Sequence, residues 1–209
     1  MSKIAFVGGK LVDGTGAAPV EDSLVLVDDK KIAYAGPRTE VPEGYEVRDI
    51  QGRTIMPGLI DTHLHFSGNL TDNDNDWVIE SVAQKQACAV KQSWDALSHG
   101  LTTVCEIGRN GIAIRDLVNM GVMEGPRIYA TGLGFCRVAG HGDCHQLPQE
   151  ISKNGHPWGD QVDGPWDLRK AVRRRLRENP DAIKIWATGG GIWHWDSGRD
   201  QHYCYEEIK

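Results

Sequence analysis

An α/β fold, a small β-rich segment followed by parallel βα units, is predicted by three observations. Residues 1 to about 55 read as short apolar runs bounded by Gly-, Pro- or Asp-rich turns. From Thr54 onward, strand-like and helix-like periodicities alternate in regular order, which implies parallel βα units. With 209 residues, 40% of them hydrophobic and 25% charged, the chain has the composition of an ordinary soluble globular protein with a substantial core.

The early strands are "KIAFVGG", "SLVLVDD", "KIAYAG" and "YEVRDIQG". "TIMPGLIDTHLHF" is then a strand, and "DWVIESVAQKQACAVKQSWDALSHG" a single long helix. Gly100 suits the left-handed position after that helix, and His99 lies in the last turn at the negative end of the dipole, a structural role. Next come "LTTVCEIG" as strand, "GIAIRDLVNMG" as helix, "RIYATG" as strand and "DLRKAVRRRLRENP" as helix. "AIKIWATGGG" reads as a further strand, and "YEEIK" as the start of another helix. In "WDLRKAVRRRLRENP", Leu168, Ala171, Val172 and Leu176 recur at helical spacing, which assigns Arg173, Arg174, Arg175 and Arg177 to the solvated face and last turns.

A net charge of −6 argues against a nucleic-acid partner, because such partners call for a basic footprint. The five cysteines form no CxxC pair, and an odd count disfavours a disulfide framework, so a reducing, cytoplasmic setting is expected. The opening "MSKIAFVGGKLVDG" has too short an apolar run for a signal peptide, and no stretch approaches membrane-spanning length. Asn69-Leu70-Thr71 matches a glycosylation sequon, a pattern common by chance.

Two features resist a purely structural reading. In "DTHLH", alternation puts Asp61, His63 and His65 on one side of a strand and Thr62, Leu64 and Phe66 on the other. Two imidazoles on one side suit a divalent transition metal, although closely spaced histidines are also ordinary surface residues. In "AIKIWATGG", Ile183, Ile185 and Ala187 share one face while Lys184 and Trp186 share the other. A fully covered parallel strand accepts a lysine on neither face, so either the register differs, the ammonium reaches the sheet's end or a carboxylate, or Lys184 points into a polar site. If the sheet closes as a barrel, His63, His65 and Lys184 face one cavity at its C-terminal end. An ammonium beside a dication is repelled, but a deprotonated amine that takes up carbon dioxide becomes a carbamate able to bridge two metals.

The segments "PGLIDTHLHF", "KLVDGTGAAPVEDSLVLVDDKKIAYAG" and "IKIWATGGG" together resemble the metal-dependent amidohydrolase superfamily over essentially the whole chain. They are most similar to its branch of Xaa-Pro dipeptidases, arginine- or lysine-directed metallocarboxypeptidases, imidazolonepropionase-like proteins and some arylurea or carbamate hydrolases. The resemblance implies the first half of a TIM-like (β/α)8 barrel preceded by a small β-sandwich segment. The sandwich part would occupy residues 1–55 and the first four βα units residues 56–209. It implies that His63 and His65 ligate the first metal and that Lys184 is the carboxylated lysine bridging two divalent ions, zinc first among them. It makes His141, in "AGHGDCH", a candidate for holding the substrate carbonyl or carboxylate, with His145 less certain and Tyr203 a weaker substrate contact beside His202. Trp186, Trp193 and Trp195, with His194 among them, either line a pocket for a bulky apolar group or pack the loop.

The family draws further histidine ligands and a catalytic Asp from later strands, and a complete barrel takes roughly 250 residues, so about the first half is expected here. Asp61 lies too deep in its strand to serve as that base. Cys105-Glu106 stands where many relatives carry Arg-Asp, which leaves Glu106 without an assigned role. The implied activity is hydrolysis of an amide-like C–N bond, in a dipeptide or N-acyl amino acid first and an arylurea or carbamate next. The alternative expectation is a non-catalytic piece that needs a complementary half-barrel. A small-molecule or dipeptide substrate, no nucleic acid, no membrane and a homo-oligomer of the full-length chain complete the expected partners.

Overall fold

Residues 2–69, 71, 76–152 and 158–209 are described by the computed structural model, so Leu70 of the sequon lies outside the described residues. The chain divides into two units, Met1–Gly58 and Leu59–Lys209.

In the first unit the strands are β1 (Lys3–Val7), β2 (Lys10–Leu11), β3 (Ser23–Asp28), β4 (Lys31–Pro37), β5 (Glu46–Asp49) and β6 (Thr54–Ile55). They form a four-stranded sheet in the order β4-β3-β1-β5 and a parallel pair β2-β6. Alternation in "KIAFV" and "SLVLVD" turns Ala5, Val7, Leu24 and Leu26 into one cluster, against which Tyr34, Val41 and Tyr45 pack. "TIMPGLIDTHLHF", expected as one strand, is two: β6 belongs to this unit and the next strand to the other. The break falls at Met56-Pro57-Gly58, where proline cannot donate to a ladder.

The second unit contains β7 (Leu59–Leu64), α1 (Asp76–Ile79), α2 (Val82–Ser98), β8 (Leu101–Glu106), α3 (Gly111–Asn119), β9 (Arg127–Ala130) and β10 (Gly134–Cys136). These are followed by α4 (Gln149–Ser152), β11 (Gly159–Gln161), α5 (Pro165–Arg177) and α6 (Tyr205–Ile208). Strands β7, β8 and β9 run parallel in that order, and β10 pairs in parallel with β11. Phe66, Ala89, Ala96, Val104, Ile114, Ile128 and Ala130 form the core between this sheet and α2 and α3. Burial of each larger member contributes about 1.5–3 kcal/mol.

Four local outcomes differ from the expectation. The long helix breaks at Ser81, whose hydroxyl accepts from Gln84 N–H while the Gln84 side chain accepts from Ser81 N–H, a capping box that starts α2 afresh. Register shifts between Asp61 and Leu64, so Asp61 pairs with Val104 and Leu64 with Glu106, and strict alternation does not run from Asp61 to His65. "AIKIWATGGG" is not a continuous strand: Ile185 makes a parallel bridge to Phe135, and Thr188 an antiparallel bridge to Gln201. Arg175 is not on the solvated face. It falls on the buried stripe with Leu168 and Ala171, pairs with Asp160 at 2.8 Å and with Glu178, and stacks 5.9 Å over the Phe135 ring, while Leu176 is exposed. The spacing 168, 171, 175 is itself helical, so the core stripe passes through the arginine.

As expected, Gly100 closes α2 with φ at 91°, and the His99 ring nitrogen lies 2.8 Å from the Asp95 carbonyl. None of the five cysteines is in a disulfide. Among the described residues no helix is long and apolar enough to cross a membrane.

Candidate functional site

The end of β7 carries the two imidazoles. The His63 and His65 ring centroids are 5.3 Å apart at an interplanar angle of 74°. Asp61 Oδ1 accepts from His63 N–H at 2.9 Å, bracing the irregular turn of the strand. His65 keeps exposed surface, yet the atoms crowding its ring depress its pKa, with the nearby positive charges of His63 and Lys184 adding to that effect. A hydrogen bond to the Ile107 carbonyl and the charge of Asp61 oppose it.

Lys184 belongs to the same neighbourhood, because its charge is felt by both His65 and the Cys105 thiol. Ile183 and Ile185 pack against the cluster of Phe135, Val162, Leu168, Ala171 and Tyr203, which commits Lys184 and Trp186 to the opposite side. Partial burial lowers the Lys184 pKa, with Cys105 pulling weakly the other way. Its Nζ stands 5.5 Å from the Trp186 ring centroid. Among the described residues no group of three or more His, Cys, Asp or Glu side chains could hold a metal ion.

Below His65 lies Glu106, fully buried at the end of β8. Its Oε1 accepts from Phe66 N–H and its Oε2 from Gly108 N–H, both at 3.1 Å. Burial pushes its pKa up to about 7 against the pull of those hydrogen bonds and one from Gly111. A Cβ on Gly111 would stand 1.9 Å from Oε2 and one on Gly108 2.6 Å from Oε1, so both positions require glycine. Glu106 thus ties the backbone after His65 to the start of α3.

The other candidate histidine, His141, sits in a loop built by hydrogen bonds to buried Asp143. That carboxylate accepts from Ala139 N–H at 2.9 Å, Ser152 Oγ at 2.5 Å and Gln161 Nε2 at 2.7 Å. His141 Nδ1 lies 2.6 Å from Oδ2 of Asp196, a fully buried residue of the loop after Lys184. Trp158 and Trp186 flank the ring at centroid distances of 6.4 and 6.3 Å. Trp193 Nε1 donates to the His141 carbonyl at 3.0 Å. Three glycines cradle Trp186: a Cβ on Gly134, Gly142 or Gly159 would stand 2.6, 3.0 or 2.7 Å from its Cζ3.

Residues 54–192, more than half of the chain, match the amidohydrolase family. The chain belongs to the amidohydrolase family. Ochratoxinase from Aspergillus niger is 31% identical over 96% of this chain and 45% of its own length. A 5-methylthioadenosine/S-adenosylhomocysteine deaminase from Symbiobacterium thermophilum is 29% identical over 90% of this chain and 46% of its own. The chain spans about half the length of the curated relatives it matches. The crystal structure of the Aspergillus niger ochratoxinase superposes with a TM-score of 0.80 at 26% identity, covering 99% of this chain and 52% of that one. A prolidase complexed with N-methylphosphonate-L-proline gives 0.83 at 25%, with the same coverage.

Within this amidohydrolase chain the remaining candidates separate. Tyr203 is buried at 1% exposure and its hydroxyl donates to the Val162 carbonyl at 3.1 Å. Tyr203→Phe is expected to lower unfolding stability by about 1 kcal/mol, read by urea denaturation, with unchanged KM; a raised KM would restore the contact. His145 stacks at 5.9 Å on Trp193, and His202 is buried with its pKa depressed by desolvation and by Arg137. Trp195 is 70% exposed and His194 lies edge-on to it, outside the group around His141. Sequence reasoning missed Asp196, which is separated from His141 by 55 positions. The one signal available was an acidic residue closing a glycine-rich loop next to a lysine-bearing strand.

Proposed function

We propose that the protein carrying this chain is a metal-dependent hydrolase of amide-like C–N bonds. The observation that carries the reading is the gathering of His63, His65 and Lys184 in one neighbourhood of an amidohydrolase-family chain. Their donor chemistry fits divalent transition metals. His63 and His65 would hold one ion, and Lys184, once its amine has added to carbon dioxide and lost a proton, would offer two carbamate oxygens to a pair. What two such ions, zinc first, supply when bound is a water acidified toward neutrality and a polarised substrate carbonyl. The parallel strands β7, β8 and β9 and the bridge at Ile185 are read as part of a (β/α)8 barrel, with the site at its C-terminal end.

The chain's own residues position this part of the site. Glu106 holds the backbone behind the His65 ring. His141 presents an imidazole to the substrate, and the indoles of Trp158 and Trp186 offer apolar walls beside it. A dipeptide or N-acyl amino acid is the favoured substrate class, supported by the likeness to a prolidase, with an arylurea or carbamate next. Metal analysis of the full-length protein after reconstitution with zinc or cobalt tests the reading. About two dications per chain are expected for a two-metal hydrolase. Fewer than one would remove the two-metal claim.

A further inference from the structure

The connection from β8 to α3, Glu106 to Asn110, grips the chain on both sides of His65. Ahead of the imidazole, Ile107 N–H donates to the Leu64 carbonyl at 3.0 Å. After it, Phe66 is held by both of its backbone groups: its N–H donates to Glu106 Oε1 at 3.1 Å, and its carbonyl accepts from Asn110 Nδ2 at 2.8 Å. Asn110 Nδ2 also lies 3.4 Å from the Ser67 carbonyl. The Phe66 side chain is buried in the core with Val104 and Ile114. The connection passes the ring itself, since a Cβ on Gly108 would stand 3.5 Å from His65 Nδ1.

Asn110 forgoes a local role to make this contact. It occupies the N-cap position of α3, where an asparagine side chain ordinarily accepts from the first N–H groups of the helix, yet it makes no such bond. Its amide reaches instead across 44 positions of sequence to Phe66. Asn110 and Glu106 are both buried, so water does not compete for either bond, and losing one would strand a buried backbone group without a partner. With Leu64 and Phe66 both fixed, the backbone between them has little freedom, and the imidazole it carries is held in one setting. Preorganisation of that kind raises the affinity of a side chain that binds a metal.

We propose that Asn110 is a positioning residue: together with Glu106 it clamps the backbone of Phe66 and so holds the His65 imidazole where, with His63, it takes up a divalent transition-metal ion. The β8–α3 connection then sets the affinity of a site to which it lends no donor atom. The metal part of this inference rests on the function proposed above.

The test compares full-length wild-type protein with Asn110→Ala and Asn110→Asp. The aspartate keeps the size of the side chain but faces the Phe66 carbonyl with an acceptor. Ile128→Val, which thins the same core from β9, controls for a general loss of stability. The dissociation constant of the first cobalt ion, measured against a competing chelator, is expected to rise about 10- to 100-fold in both Asn110 variants, the range for a residue behind a metal ligand, and to stay at the wild-type value in Ile128→Val. No rise in the Asn110 variants, or an equal rise in Ile128→Val, overturns the proposal. A second readout needs no metal: ¹⁵N spectra of histidine-labelled, metal-free protein, with the His65 ring assigned from His65→Gln. Wild type and Ile128→Val should give one sharp set of His65 signals, and the Asn110 variants a broadened or divided set as the ring loses its fixed setting. His65 signals indifferent to both Asn110 substitutions overturn the proposal. If the ring responds as stated and wild type takes up no cobalt, the metal-dependent function fails and the hold of Asn110 on His65 stands.

Discussion

Replacing Lys184 by alanine in the full-length protein is expected to lower kcat/KM by about 10³-fold or more and to reduce bound metal to one ion or none, since one side chain is asked to bridge both ions. The fold should survive. Lys184 is only partly buried, and the segment that carries it is anchored by Ile183 and Ile185 in the cluster against α5. Lys184→Arg separates charge from chemistry: guanidinium keeps the positive charge but does not form the carbamate, so the arginine variant should be as inactive as the alanine one. Circular dichroism and metal analysis accompany the kinetics. Activity within tenfold of wild type in either variant would remove Lys184 from the mechanism.

A second large effect concerns stability against pH. Glu106 moves from about 4.5 when exposed to about 7 in the fold, chiefly through burial. The native state therefore prefers the protonated carboxyl. The stabilisation is fully present below the unfolded value, declines as pH rises from 4.5 to 7, and is lost above the folded value. That preference corresponds to about 3 kcal/mol. Denaturant unfolding at pH 5 and pH 8 reads the difference. Glu106→Gln should be less stable than wild type at pH 5, because an amide nitrogen faces one of the backbone donors, and it should lack the Glu106 part of the slope. An identical pH dependence in wild type and variant would show that the carboxyl stays ionised throughout.

Much of this site was legible because strand periodicity is a local rule. Lys184 stands out against Ile183 and Ile185 in the sequence, and the same alternation separates them in space. His63 and His65 flank Leu64, which packs into the helix-side core. Legibility failed where a distant contact or a bulge decides the outcome. The bulge after Asp61 is set by pairing with β8, and the three-residue strands β10 and β11, absent from the sequence reading, are set by pairing with each other across a long separation. Arg175 was read as solvated because its charge outweighed its position, and its partner Asp160 lies in a strand too short to stand out in sequence. Tyr203 drew attention as a tyrosine near the site, but its burial is fixed by Phe135 and Val162, neither of them close in sequence. Capping was the exception: the Ser81-to-Gln84 signal was present and overlooked.

The glycines around Trp186 give the proposed substrate wall an unusual form of adjustability. Gly134, Gly142 and Gly159 come from three separate stretches of chain, yet all abut one edge of the same indole. A single methyl group at any of them would displace the ring from the rear, and at Gly134 it would press on the Lys184 stem as well. Selectivity in such a site can drift through residues that no ligand ever meets, and directed evolution that samples only the lining would overlook them.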